Sequence, residues 1–113
     1  MMDQTKMHPI ELEFLARGVV RGSSLLMLRP QDAIDLVRVC RERQVPVSDV
    51  EGFRVYPNGG TQPFMDHSLG LGRASRDVDD PDNCWSMAER FLLDHVSSDF
   101  FFCVTLPIPG VDD

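Results

Sequence analysis

Long apolar runs are missing from this 113-residue sequence. No run approaches the ~18 consecutive apolar residues of a membrane-spanning helix. Residues 1–15 carry acidic side chains inside their apolar part, which is not typical of a secretory signal. We therefore expect a cytoplasmic protein with no membrane partner, built as a single domain over residues 1–113. The ends, residues 1–7 and 111–113, are expected to be flexible.

Cysteine is scarce, and its spacing does not suggest a disulfide framework. The three cysteines, Cys40, Cys84 and Cys103, are an odd number, and no two have C-x-x-C spacing. All three lie in apolar segments, which predicts buried free thiols in a reducing compartment. A pairing such as Cys40 with Cys84 stays open on sequence alone.

Basic charge is in short supply. Eleven lysines and arginines stand against 18 aspartates and glutamates, for a net charge of −7. Nucleic-acid binding requires a basic face for phosphate contacts, so the composition argues against a nucleic-acid partner. An acidic surface suits a basic protein partner, or it serves solubility.

Recognisable catalytic and cofactor motifs are also missing. Gly70-x-Gly72 lacks the third glycine of a dinucleotide fingerprint, because position 75 is Ser75. Asp66, His67 and Ser68 include the residue types of a catalytic triad. Adjacent residues point in different directions, however, whereas a triad must converge in space. The three histidines have no metal-ligand spacing, so neither a metal nor a cofactor is predicted.

What the sequence does contain is a regular succession of apolar segments. Their order, β-α-β-β-α-β after an N-terminal prelude, predicts an α+β domain, with a ferredoxin-like sheet and helices on one face. In the prelude, residues 10–18 fit either a strand or a short helix, and the helix is favoured. The predicted helices are residues 30–43 and about 84–98, and the predicted strands are residues 25–28, 53–56, 61–65 and 100–106.

Residues 50–72 form the predicted centre of the chain. Residues 57–60 read Pro-Asn-Gly-Gly, a turn that tolerates positive φ and therefore predicts a hairpin. Pro63 places the return strand at a sheet edge. Residues 66–83 then read as a long loop, and loops of this length in compact domains are often functional.

Four aspartates lie close together at the end of this loop: Asp77, Asp79, Asp80 and Asp82. An EF-hand would require glycine at the sixth position and glutamate at the twelfth, where this chain has Asp82 and Ala88. Three interpretations stay open. The cluster is a solvated loop that favours the following helix N-terminus, a contact patch for a basic protein, or a weak Ca²⁺ or Mg²⁺ binder.

Several positions of the chain together form a recognisable pattern: Ala33-Ile34-x-x-Val37, Val45-Pro46-Val47, Asp49-Val50-Glu51-Gly52, Gln62-Pro63-x-x-Asp66, Trp85, Ala88 and the terminal aromatic strand. This pattern resembles small bacterial immunity proteins of polymorphic toxin systems, which bind and silence a cognate toxin. The resemblance implies a non-enzymatic protein that occludes a toxin, the toxin being its partner.

Two kinds of function follow from these observations. The first is a cytoplasmic, non-enzymatic protein-binding domain whose contact residues are Asp66, His67, Asp77, Asp79, Asp80 and Asp82, steered to a basic toxin by charge. The alternative is a small-molecule-binding or enzymatic domain that uses residues 66–83 as a lid over polar groups such as Asp66, His67 and Arg73. Self-association through an exposed sheet edge is a third interpretation.

Overall fold

A computed structural model describes residues 7–21 and 25–107, with the backbone alone at residues 21, 65 and 66. The expected flexible ends lie outside these residues, except that Met7 is only 6% exposed and packs in the core. The elements are α1 (Pro9–Glu13), a 3₁₀ turn (Leu15–Arg17), β1 (Val19–Arg21), β2 (Leu25–Met27), α2 (Pro30–Glu42), β3 (Asp49–Val55), β4 (Thr61–Gly70), α3 (Cys84–Leu93) and β5 (Phe101–Thr105).

The N-terminal prelude forms a helix, as favoured from the sequence. His8 and Glu11 make a reciprocal capping box: His8 Nδ1 accepts from the Ile10 N–H at 3.0 Å, and Glu11 Oε1 accepts from the His8 N–H at 3.1 Å. Pro9 occupies the first turn, where its missing N–H is harmless. The prelude also contributes β1, a strand that the sequence reading missed, which pairs antiparallel with β2.

The two longer helices pack against each other on one face of the sheet. Pro30 begins α2, and the apolar stripe of this helix from Ala33 to Cys40 is buried. Asn83 caps α3, which ends at Leu93 rather than near Ser98. A salt bridge of 2.7 Å between Arg38 and Glu89 joins the exposed sides of the two helices.

The sheet is antiparallel, in the order β4-β3-β5, and β2 is attached to β5 by a single bridge between Leu28 and Phe102. The α+β class and the element order are confirmed. The strand order departs from the ferredoxin-like arrangement, because β3 and β5 pair at the centre. The reason lies in β5: Phe102 and Val104 face the helices while Cys103 packs in a smaller apolar cluster on the other face. A strand that is apolar on both faces requires cover on both.

The core lies between the helices and the sheet. Trp85, Phe102, Ile34 and Leu92 are fully buried there, and the indole N–H of Trp85 donates to the Val45 carbonyl at 2.8 Å. All three cysteines are free and buried, as predicted. The core therefore holds α3 in place. His95 follows the C-terminal end of this helix, and residues 77–82 precede its N-terminal end.

Candidate functional site

A bulge of three residues in β4 interrupts its pairing with β3. Glu51 pairs with Ser68 and the next residue, Gly52, pairs with Phe64, so residues 65–67 have no partner on β3. The Ser68 hydroxyl donates to the Phe64 carbonyl at 3.1 Å and accepts from the Gly52 N–H at 3.3 Å, which ties the two ends of the bulge together. Bulges change the direction of a side chain and are common near functional sites.

Gly52 is required by this bulge. A Cβ at position 52 would lie 2.5 Å from the His67 carbonyl oxygen, a distance that real side chains do not tolerate. The glycine thus lets the bulged segment fold closely over β3. Asp66, one of the predicted contact residues, belongs to this bulge, and its side chain lies outside the described part of the structure.

The bulge places His67 against His95, beyond the end of α3. His67 Nδ1 and His95 Nε2 are 3.1 Å apart, and His95 Nδ1 lies 2.9 Å from the Phe91 carbonyl oxygen. Because a carbonyl only accepts, His95 Nδ1 carries the hydrogen and donates it to Phe91. In the neutral ring His95 Nε2 is then the acceptor, and His67 Nδ1 donates to it.

Four phenylalanine rings surround this histidine pair at centroid distances of 4.4 to 6.1 Å. They are Phe64 and Phe100 around His67, and Phe91 and Phe102 around His95. Arg54 lies over the rings of Phe64 and Phe100, 5.7 and 5.4 Å from their centroids. These contacts restrict the rotation of both imidazoles, which are each partly exposed.

The connection between β4 and α3 is shorter than predicted. Residues 66–70 belong to β4, so the loop starts at Leu71 and not at Asp66. Leu71 is buried, and its N–H donates to the Ser48 carbonyl at 2.9 Å, which fixes the start of the loop to the chain before β3.

Asn83 fixes the other end of the loop. It is fully buried, and its Nδ2 lies within 2.6 to 3.1 Å of three carbonyl oxygens, those of Asp77, Val78 and Asp80. Its Oδ1 accepts from the Ser86 N–H at 2.7 Å and so caps α3. One side chain therefore both folds the acidic turn and starts the helix.

We call residues 77–82 the acidic loop. Two of its carboxylates close local turns: Asp77 Oδ1 accepts from the Asp79 N–H at 3.0 Å, and Asp80 Oδ1 accepts from the Asp82 N–H at 2.9 Å. Asp77, Asp79 and Asp82 are exposed. The Asp82 carboxylate forms a long ion pair with Arg90, with 3.8 Å between the oxygen and the guanidinium nitrogen. Each carboxylate has about four acceptor positions, so the turn bonds leave most of them available.

The acidic loop borders an open groove of about 320 Å³ on the outer side of α3. Its lining residues are Pro81, Ser86, Glu89, Arg90 and Leu93. Leu93 is 47% exposed there, and Val78 at the tip of the acidic loop is 37% exposed. Arg41 donates to the Val78 carbonyl at 3.0 Å and holds that tip against α2.

The predicted contact residues fall into two separate groups. His67 lies beyond the C-terminal end of α3, whereas Asp77, Asp79, Asp80 and Asp82 lie at its N-terminal end, about 15 Å away along the ten-residue helix. Arg73 lies exposed in the connecting loop. Sequence reasoning missed the partnership of His67 with His95, since it depends on contacts across the fold.

Burial shifts the pKa of three ionisable side chains in the core and in α1. Burial raises the pKa of the thiols of Cys40 and Cys103 to about 12, so neither is a thiolate at neutral pH. Burial also raises the pKa of Glu11, whose carboxylate is occupied by the α1 cap. Within residues 7–21 and 25–107, no three or more His, Cys, Asp or Glu side chains form a metal-binding group.

Comparison with known proteins finds no protein-family model that matches the chain and no curated protein with significant similarity to it. Among the described residues, no helix has the length and apolar character needed to cross a membrane.

Proposed function

We propose that this protein is a non-enzymatic, cytoplasmic protein-binding domain that binds a basic partner through the acidic loop and the adjoining α3 groove. The biological role proposed with it is that of an immunity protein, which neutralises a cognate bacterial toxin by occlusion. The observation that carries the proposal is the ordered display of Asp77, Asp79 and Asp82 on a loop held by a buried asparagine.

A rigid loop favours binding because its ordering cost is already met in the free protein. Loops that order only on association lose about 0.5–1.5 kcal/mol for each immobilised side chain. Here the NH₂ group of Asn83 donates its two hydrogens among three carbonyl oxygens of the acidic loop, and Arg41 donates to the Val78 carbonyl, so the backbone of the loop is held at several points. The turn bonds of Asp77 and Asp80 also hold the carboxylates of these two residues.

Charge and shape at this surface suit a partner with lysine or arginine beside an apolar side chain. The exposed carboxylates attract and orient basic groups, an effect that acts mainly on the association rate. Val78 in the acidic loop and Leu93 in the groove offer exposed apolar area, and we propose that the groove receives a side chain of the partner. A net charge of −7 extends the attraction beyond the contact surface.

The test is co-expression with the product of the adjacent gene, followed by measurement of association rate and affinity for any stable complex. The variant Asp79→Asn with Asp82→Asn removes two charges without touching the carboxylates that close turns. We expect the association rate at low salt to fall about tenfold or more.

The matched control is Asp94→Asn with Asp99→Asn, which removes the same charge from exposed positions beyond the other end of α3. We expect that control to change the association rate less than twofold. Equal effects of the two variants would show that only net charge matters and would refute this contact surface. Absence of a complex with the neighbouring product would refute the immunity role.

A further inference from the structure

The convergence of His67 and His95 has a chemical use beyond the proposed protein-binding function. Two imidazole nitrogens 3.1 Å apart can share a hydrogen, or they can be neighbouring ligands of one metal ion. With metal–nitrogen bonds of about 2.0–2.1 Å, that separation corresponds to an angle of about 98° at the metal, close to the angles of tetrahedral and square sites. We propose that His67 Nδ1 and His95 Nε2 form a binding site for a late first-row divalent ion, Zn²⁺ or Ni²⁺.

The surroundings of His95 match those of a metal-ligating histidine. Such a ligand donates its other ring N–H to a carbonyl or a carboxylate, which fixes the tautomer and the ring orientation. His95 Nδ1 makes this contact with the Phe91 carbonyl at 2.9 Å. The lone pair of Nε2 is therefore directed toward His67 before any ion arrives.

His67 is oriented by the bulge rather than by a helix. Ser68 ties the bulge at both ends, Gly52 admits it, and the rings of Phe64 and Phe100 pack around the imidazole. Metal binding requires the neutral tautomer with hydrogen on Nε2, so the Nδ1 hydrogen of His67 moves to Nε2 through solvent and the pair keeps its overall proton count. The ion lies to one side of the line between the two nitrogens and is bonded to the lone pair of each.

The chemistry of the site selects the ion. Imidazole suits Zn²⁺, Ni²⁺ and Cu²⁺, whereas Mg²⁺ and Ca²⁺ require oxygen ligands. The thiols of Cys40 and Cys103 are buried and protonated at neutral pH, so they do not compete. His67 and His95 are the two ligands that the described side chains supply, and Arg54 nearby adds positive charge. A site of these two ligands binds more weakly than one with three or four protein ligands.

Calorimetric titration of the tag-free protein with Zn²⁺ and with Ni²⁺ at pH 7.5 tests the proposal. We expect one site in the wild type, an affinity at least tenfold weaker in His67→Gln and in His95→Gln, and no heat with Mg²⁺. Equal affinity in the wild type and both variants, or no Zn²⁺ and no Ni²⁺ binding by the wild type, overturns it.

Nitrogen NMR of the imidazoles of the wild-type protein provides a second measurement that does not depend on the folding of a variant. On addition of Zn²⁺, His67 Nδ1 and His95 Nε2 should both shift as metal ligands, while His8, whose Nδ1 is occupied by the Ile10 N–H, should not. If the signals of His67 and His95 stay unchanged at saturating Zn²⁺, the pair is a hydrogen bond only.

Discussion

At the scale of single residues, Asn83 matters most to the candidate surface. An amide side chain has two N–H donors and one carbonyl acceptor, so it can bond several carbonyls and a backbone N–H at the same time. Aspartate and serine could cap α3 equally well, but neither offers an NH₂ group to the carbonyls of Asp77 and Asp80. Asparagine is thus the residue that both functions require.

The first prediction concerns Asn83→Ala. Loss of the cap costs about 1 kcal/mol, and the carbonyls left without a donor add a similar amount, so we expect a decrease of about 2–3 kcal/mol in the free energy of unfolding. Urea denaturation measures it. The control is Asn58→Ala, which removes one exposed bond to the Gly60 N–H and should cost less than about 1 kcal/mol. Equal losses in the two variants would contradict the role assigned to Asn83.

His8 is the residue whose protonation bears on the stability of α1. Burial, with a smaller contribution from the positive charge of Arg43, lowers the pKa of His8 below its ordinary value of 6.5. The unfolded chain then binds more protons than the folded one, so this contribution to stability is complete above about 6.5 and is lost as the pH falls through the folded pKa. The raised pKa of Glu11 acts in the opposite sense, since its contribution is present below 4.5 and is lost as the pH rises through its folded pKa.

The second prediction follows from this difference. His8→Asn keeps a side-chain acceptor for the Ile10 N–H but removes the titration. Between pH 7.5 and pH 5.5 the wild type should lose free energy of unfolding relative to the variant, by an amount within the ~1 kcal/mol of an N-cap. Urea denaturation at three pH values measures it. Parallel stability curves for the two proteins would contradict the expectation.

At the scale of elements, the structure shows which signals are local and which are not. Pro30 at the start of α2 and the Asn58-Gly59 turn could be identified from sequence, because each depends on its neighbours in the chain. The full length of β4 could not be identified, because residues 65–67 join that strand through a bulge that depends on Gly52 of another strand.

The third prediction tests that bulge. Gly52→Ala places a Cβ against the His67 carbonyl, so we expect a decrease in stability of about 1–3 kcal/mol, typical of overpacking. Gly72→Ala is the matched control, since nothing lies within 4 Å of a Cβ there, and it should change stability by less than about 0.5 kcal/mol. Urea denaturation compares them. A Gly52→Ala protein as stable as the control would contradict the tight packing of the bulge.

At the scale of the whole molecule, the class and the element order could be predicted from sequence, whereas the strand order and the candidate sites could only partly be predicted. The acidic residues were evident from composition, and the structure adds the hydrogen bonds that hold the acidic loop and the groove beside it. The histidine pair could not be foreseen, since His67 and His95 are 28 residues apart and meet only through β4 and α3. Long-range contacts of this kind carry no local sequence signal.

The chain between β4 and α3 is attached to the rest of the domain at several points. It is held at Leu71 by Ser48, at Val78 by Arg41 and along the acidic turn by Asn83. A surface held in this way is suited to recognition without rearrangement.

The most direct test of this account is the measurement of backbone amide order parameters by ¹⁵N relaxation in the free protein. We predict values near 0.85 for Asp77 to Asp82 (except Pro81, which has no amide hydrogen), comparable with those of α2, and lower values in Asn83→Ala. Values below about 0.6 for these amides in the wild type would show a mobile linker and would contradict the claim that the acidic loop is a fixed contact surface.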